Sequence, residues 1–333
     1  MSVQIVKERN PYYDSLKFVL ISLVVLAHVF EPTKNNSVVN INLTLYNWIN
    51  LFHMPVFIFL SGRFSGISDR QRYKKGIIKL LETYIIFQSI WLVYLRVTSD
   101  NLTLSDYLTP WYIMWYILSL AFWRLIVYLF LDKIKENPII WISASSLLGI
   151  LVGFVPIGVL FSFQRTFAFL PFFVIGFCTR DYDVMKSIRR MPVVLAIIVI
   201  IVSFFLLYPI EERMPIAYVF TCAFPYTEFS TKAYVFLLRA IFYIAAPCVS
   251  IAVVRLIPSV KRFANWGRQT MFIYIYHAFA TRAFYHLFPN GTLPFTLPWL
   301  FAYALVIIVV LLFFSRSKVL NWLLNPISNT IKK

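Results

Sequence analysis

Three ionisable side chains, Asp14, Lys17 and His28, stand in or at the edge of one long apolar run, residues 13–30. A helical residue advances by about 100°, so the eleven positions from Lys17 to His28 make three circuits plus about 20°. The two therefore share one helix face, about 16 Å apart along the axis. Asp14 lies one turn before Lys17 on the same stripe, too far away to orient His28 and well placed to pair with Lys17. An imidazole can take a hydroxyl proton near neutral pH, which suits His28 to general-base work. More ionisable groups recur in apolar surroundings. His53 sits in Phe52-His53-Met54-Pro55, Arg165 follows Gln164, and His277 follows Tyr274 and Tyr276. Such groups are costly in a bilayer and mark a functional site by default. Each also has a bland reading. Lysines at helix ends snorkel, histidines can be packed and hydrogen-bonded, and tyrosines can anchor at the interface. His286, near the outer surface, reads as bland.

The elements that carry these residues are membrane helices. The chain is 60% hydrophobic and 14% charged, against about 25% charged in a soluble domain. Its mean hydropathy is +0.75. Ten candidate spans of about 17–25 residues follow, near 14–32, 43–64, 77–97, 111–131, 138–156, 158–178, 192–210, 233–256, 270–288 and 295–315. Pro156 and Gly158 leave a very short turn between the fifth and sixth. The connection 211–232, with Phe224, Pro225 and Tyr226, is expected to dip back inward. The expected fold is an all-α polytopic integral membrane protein of about ten helices, one transmembrane domain over 1–333.

The charge pattern orients it. Alternate connections hold about 20 basic residues on one side and about four (Lys34, Arg213, Lys232 and Arg282) on the other, which by the positive-inside rule places both termini in the cytoplasm. This also explains the net charge of +17 without nucleic acid. Lys17 is then near the cytoplasmic end of the first span and His28 in its outer half. Arg70, Arg72, Lys74, Lys75 and Lys79 form a basic cytoplasmic mouth. Orientation alone accounts for such a cluster, but its density also suits a phosphate-rich ligand. The cysteines, Cys178, Cys222 and Cys248, are scattered and give no disulfide framework or metal spacing. No zinc motif, phosphate-binding glycine loop or G-x-S-x-G elbow occurs. No opposed histidine pair suggests haem, no cleavable signal peptide is evident, and no internal repeat supports a repeat-built transporter.

Four blocks, in order, resemble the membrane-bound type 3 acyltransferase family. Lys17 and His28 are separated by ten positions, as are the basic residue, more often arginine, and the histidine of that family's first helix. The run Phe52-His53-Met54-Pro55-Val56-Phe57-Ile58-Phe59-Leu60-Ser61-Gly62 is similar to the branch holding fucose 4-O-acetylase-like and polysaccharide adhesin modification proteins. Pro171-Phe172-Phe173-Val174-Ile175-Gly176 and Gly267-Arg268-Gln269-Thr270 through His277 match later blocks. Two departures stand out. The family's Arg-x-x-Arg element has no clean counterpart in Arg70-Gln71-Arg72-Tyr73-Lys74-Lys75, and an attached extracytoplasmic hydrolase-like domain is not expected.

The resemblance implies acyl transfer, usually of acetyl, from acetyl-CoA to a carbohydrate or lipid-linked glycan hydroxyl at the bacterial cytoplasmic membrane. Acetyl-CoA is a co-substrate, and no bound cofactor or metal is expected. His28 would be general base or transient acyl acceptor, with Lys17 and Asp14 beside it. His53, Arg165, His277 and Tyr276 would orient substrate or stabilise the oxyanion, and the basic mouth would hold the donor. Expected partners are the bilayer, a second copy of the chain or envelope-polysaccharide machinery. A transporter or flippase for a lipid-linked glycan fits the same polar residues, as does a structural subunit of an envelope assembly.

Overall fold

The computed structural model describes residues 10–31, 40–98, 103–208, 216–287 and 296–324. Lys34, the connection 209–215 with Arg213, both termini and the side chain of His286 lie outside the described residues. The described chain is helical throughout, without a strand. Ten helices of fourteen residues or more follow one another: α1 Pro11–Phe30, α2 Asn40–Arg63, α3 Arg70–Thr98, α4 Met114–Leu129, α5 Pro138–Leu151, α6 Phe163–Cys178, α7 Val193–Leu207, α8 Lys232–Leu256, α9 Thr270–Leu287 and α10 Leu297–Phe314. Six helices (α1, α2, α3, α6, α8 and α10) are long and apolar enough to cross a membrane; α4, α5 and α7 are shorter apolar helices. The protein is an all-α polytopic membrane protein.

Burial separates an inner group from an outer one. Over their apolar windows α1 and α2 are 72% and 78% buried inside the protein, against 28% for α10. Helix α7, Val193–Leu207, buries only Ala196 and Leu207 and turns Val194, Ile198, Phe205 and Leu206 outward. A helix that is apolar all round and mostly unburied belongs against lipid. The inner helices carry polar side chains among their buried residues: Asp14 and Ser15 on α1, Asn47, Asn50 and His53 on α2, and His277 and Thr281 on α9. Such groups are tolerated where they face protein or a wet cavity.

The sequence blocks have packing reasons. A Cβ on Gly62 would collide with the carbonyl of Phe173, and one on Gly176 with the carbonyl of Phe59, so α2 and α6 press backbone against backbone at two reciprocal points. Small residues permit such close helix contact in membranes. Gly62→Val is therefore expected to drive the pair apart and cost about 1–3 kcal/mol or more, as overpacking does; a lowered melting temperature in detergent checks it. Gly267 acts in the same way on α1, since its Cβ would meet the backbone of Asp14. That contact seats the start of α1 on the short helix Lys261–Gly267. Ser15 Oγ also donates to the carbonyl of Val260 at 3.0 Å, and Tyr12 Oη donates to that of Val254 at 2.8 Å. The position of Lys17 is fixed by these clamps.

One local expectation is revised, and the inward dip before α8 is found as expected. The turn after α5 is longer than Pro156 and Gly158 suggest: 3₁₀ turns at Val152–Phe154 and Leu160–Ser162 separate α5 from α6, with left-handed backbone at Gly158, Phe161 and Ser162. Three left-handed residues in this stretch cannot continue a helix. The connection before α8 folds inward as a short helix, Ile216–Thr221, and a 3₁₀ turn, Tyr226–Glu228, burying Phe220, Cys222, Ala223 and Tyr226.

Candidate active site

One cavity of about 270 Å³ gathers residues from the C-terminal end of α1, the first half of α2, the start of α4, α6, α9 and the connections before α4, α6 and α8. His28, His53 and Arg165 line it together, with Glu31, Asn50, Tyr112, Trp115 and Tyr274. Three residues expected at a site, far apart in sequence, therefore share one chamber. His277 sits behind its wall, with its ring centroid 5.2 Å from that of His28. The non-glycine residues with left-handed φ among the described residues are Tyr112, Phe161, Ser162 and Cys222. All four fall in the connections that wall this cavity. Strain concentrated at one place points to a functional site.

The histidine tautomers follow from their partners. His28 Nδ1 is 3.1 Å from Glu31 Oε2, and a carboxylate can only accept. Nδ1 is therefore the donor to Glu31, and in the neutral ring Nε2 is the acceptor that faces away from it. Tyr112 Oη donates to the same Glu31 oxygen at 3.0 Å, and its ring lies 4.7 Å from the His28 ring. The order tyrosine, carboxylate, imidazole is that of a base held by an orienting acid. His53 Nδ1 donates to the carbonyl of Ile49 at 2.7 Å, and His277 Nδ1 to that of Ile273 at 3.1 Å. Both also keep Nε2 as acceptor, and among the described residues that of His277 is buried without a hydrogen-bond partner.

A second cavity, about 340 Å³, opens at the opposite end of the same helices. Lys17, Arg124 and Arg268 line it with Ser61, Ser65, Tyr116 and Thr270. Lys17 Nζ lies 3.5 Å from Asp14 and 4.3 Å above the Phe64 ring. Arg124 Nε donates to Ser65 Oγ at 3.3 Å, and Ser61 Oγ is 2.6 Å from Tyr116 Oη. Tyr274 lines both cavities. Its hydroxyl is tied to the carbonyl of Ile113, a residue of the first cavity, at 2.6 Å.

Other expected residues lie elsewhere. Tyr276 turns away from both cavities and donates to the carbonyl of Leu320 at 2.9 Å. Arg70, Arg72, Lys74 and Lys75 are exposed on the first turns of α3, Lys79 is half-buried, and none of them lines either cavity. Arg70 lies 3.7 Å from the exposed Asp132. Among the described residues no group of three or more His, Cys, Asp or Glu side chains is placed to hold a metal ion.

Sequence reading passed over Glu31, Tyr112, Arg124 and Arg268 as site residues and took Tyr274 for an anchor. Glu31 carries a usable signal, three positions after His28 and on its face. So does Arg124, an isolated cation in the apolar segment of α4, which the rule that flags Arg165 also flags. Tyr112 has none, being 81 residues from Glu31.

An acyltransferase family model, that of the type 3 acyltransferases, matches residues 10–315. The chain belongs to that family. The match spans both cavities, and acyl transfer displaces the transporter and structural-subunit readings. No curated protein and no solved structure matches the chain significantly. As a membrane-bound type 3 acyltransferase, the protein needs a base, a donor site and an acceptor site, and the two cavities offer places for all three.

Proposed function

We propose that this acyltransferase moves an acetyl group from acetyl-CoA to a hydroxyl of an envelope or exported carbohydrate, across the bacterial cytoplasmic membrane. The observation that carries the reading is the pair of cavities at opposite ends of these helices, both lined by Tyr274. The basic one lies at the end that the positive-inside rule assigns to the cytoplasm in a chain of ten crossings with both termini inside. The one holding His28 faces the other way.

Phosphates of the donor bind Lys17, Arg124 and Arg268, for which three converging cations are suited. The pantetheine arm passes Tyr274 and presents the thioester to His28. The acceptor hydroxyl gives its proton to His28 Nε2 as its oxygen attacks the thioester carbonyl. The imidazolium so formed is stabilised by Glu31. The C–S bond then breaks, and the proton passes from Nε2 to the sulfur, leaving CoA as the thiol. The side chains of His53 and Asn50 lie in the same cavity, where the Asn50 amide donates to the carbonyl of Tyr46 at 2.8 Å. They position the sugar, and His277 backs the ring of His28.

This reading ranks the cations. Arg124→Gln and Arg268→Gln are each expected to raise the KM for acetyl-CoA about tenfold, the loss of one charge-assisted contact. Lys74→Gln and Lys75→Gln, on the exposed mouth, are expected to change it less than about twofold. Steady-state kinetics on purified protein checks both. The reading itself is tested by mass spectrometry of envelope polysaccharide from cells with and without the chain. Loss of acetyl increments supports it, and an unchanged glycan overturns it.

A further inference from the structure

Glu31, the one carboxylate lining the cavity of His28, is already engaged by His28 and Tyr112. The one guanidinium lining it, Arg165, has no such partner. Its Nε donates to the carbonyl of Thr221 at 3.2 Å, and its guanidinium lies 4.9 Å from the centre of the Trp115 ring. Thr221 precedes Cys222, whose left-handed φ of 52° turns the chain at this wall. One carbonyl and one ring thus fix the plane of the guanidinium and use one of its five donors. Among the described residues no acidic side chain forms an ion pair with it, and its terminal nitrogens make no hydrogen bond. A preorganised fork of this kind recognises the paired oxygens of a carboxylate or phosphate. Glu31 acts on Arg165 across the cavity without pairing with it, and a guanidinium with no carboxylate in contact at this depth is costly. Trp111, Tyr112 and Trp115 supply flat apolar walls beside it, suited to the faces of sugar rings.

We propose that Arg165 binds an anionic group carried by the acceptor sugar, so that the enzyme acylates an acidic glycan in preference to a neutral one. The proposal rests on the carbohydrate-acceptor reading above and names its chemical class. A neutral sugar leaves Arg165 unpaired as it displaces the water there. An acidic sugar pairs the charge and holds the ring at a fixed register to His28.

The test is binding of three matched probes to the purified full-length protein in detergent, followed by calorimetry: galacturonate, galactose 6-phosphate and galactose. Carboxylate and phosphate arms tell the two anion sources apart. Wild type is expected to bind at least one anionic probe ten times more tightly than galactose. Arg165→Gln is expected to remove that preference while leaving galactose binding unchanged. Arg165→Lys is expected to recover only part of it, because charge remains and the fork is lost. Unchanged melting temperatures show that the variants are folded; if Arg165→Gln does not fold, the Arg165→Lys comparison decides. Equal binding of acidic and neutral probes, equal weakening of both in the variant, or no binding of any probe overturns the proposal. If an anionic probe binds through Arg165 yet acquires no acetyl group from acetyl-CoA, the anion site stands and the acetyl-transfer reading fails.

Discussion

Replacing His28 by alanine is expected to lower kcat for acetyl transfer about a thousandfold, within the 10²–10⁴ range of positioned acid–base groups. A sugar hydroxyl is a poor nucleophile until its proton is taken. His28 and His53 both line the cavity, and of these two His28 has a carboxylate, Glu31, at its Nδ1. His53 and His277 lean on backbone carbonyls, which stabilise an imidazolium less than a carboxylate does. The side chain of His28 is partly accessible, so its loss opens no sealed core, and the melting temperature is expected to stay within a few degrees. Rates measured with acetyl-CoA and envelope glycan check the effect. A His28→Ala enzyme at the wild-type rate removes the general-base assignment.

The second large effect belongs to Glu31. Glu31→Gln keeps the shape and loses the charge. It is expected to lower kcat about a hundredfold with little change in the KM for acetyl-CoA, because the donor cations lie at the other end of the bundle. The amide no longer stabilises the imidazolium and can present a donor to Nδ1, which favours the wrong tautomer. Tyr112→Phe, which removes one hydrogen bond to the same oxygen, is expected to cost roughly tenfold. The two residues act through His28, so the double variant His28→Ala with Glu31→Gln is expected to be no slower than His28→Ala alone. Groups that work as a unit are not additive in this way. Additive losses would show that Glu31 has a separate task.

The fold was largely legible, and the site was legible in half. Membrane helices announce themselves by length and apolarity, and the interrupted segments at α2 and α6 carry their packing glycines in the sequence itself. The connections were harder. The turn before α6 and the inward fold before α8 depend on left-handed residues that follow no glycine rule, Phe161, Ser162 and Cys222. The expense of a charge in lipid revealed His28, His53 and Arg165, and the same reasoning reaches Arg124. It does not reach Glu31 or Tyr112, because a group at a helix end or in a connection incurs no evident cost until the tertiary structure shows where it points. The exposed basic mouth is a different case, lining neither cavity. Density of charge in sequence is satisfied by orientation alone, whereas Lys17, Arg124 and Arg268 converge only once α1, α4 and the start of α9 are packed.

The central claim is that donor and acceptor reach His28 from opposite ends of the bundle, past Tyr274. Sealed proteoliposomes test it, with the protein inserted in one orientation, labelled acetyl-CoA supplied only at the face bearing Lys17 and acceptor glycan enclosed only on the other. Labelled acetyl is expected on the enclosed glycan, with free CoA left on the donor side. Label appearing only when both substrates share one compartment contradicts it.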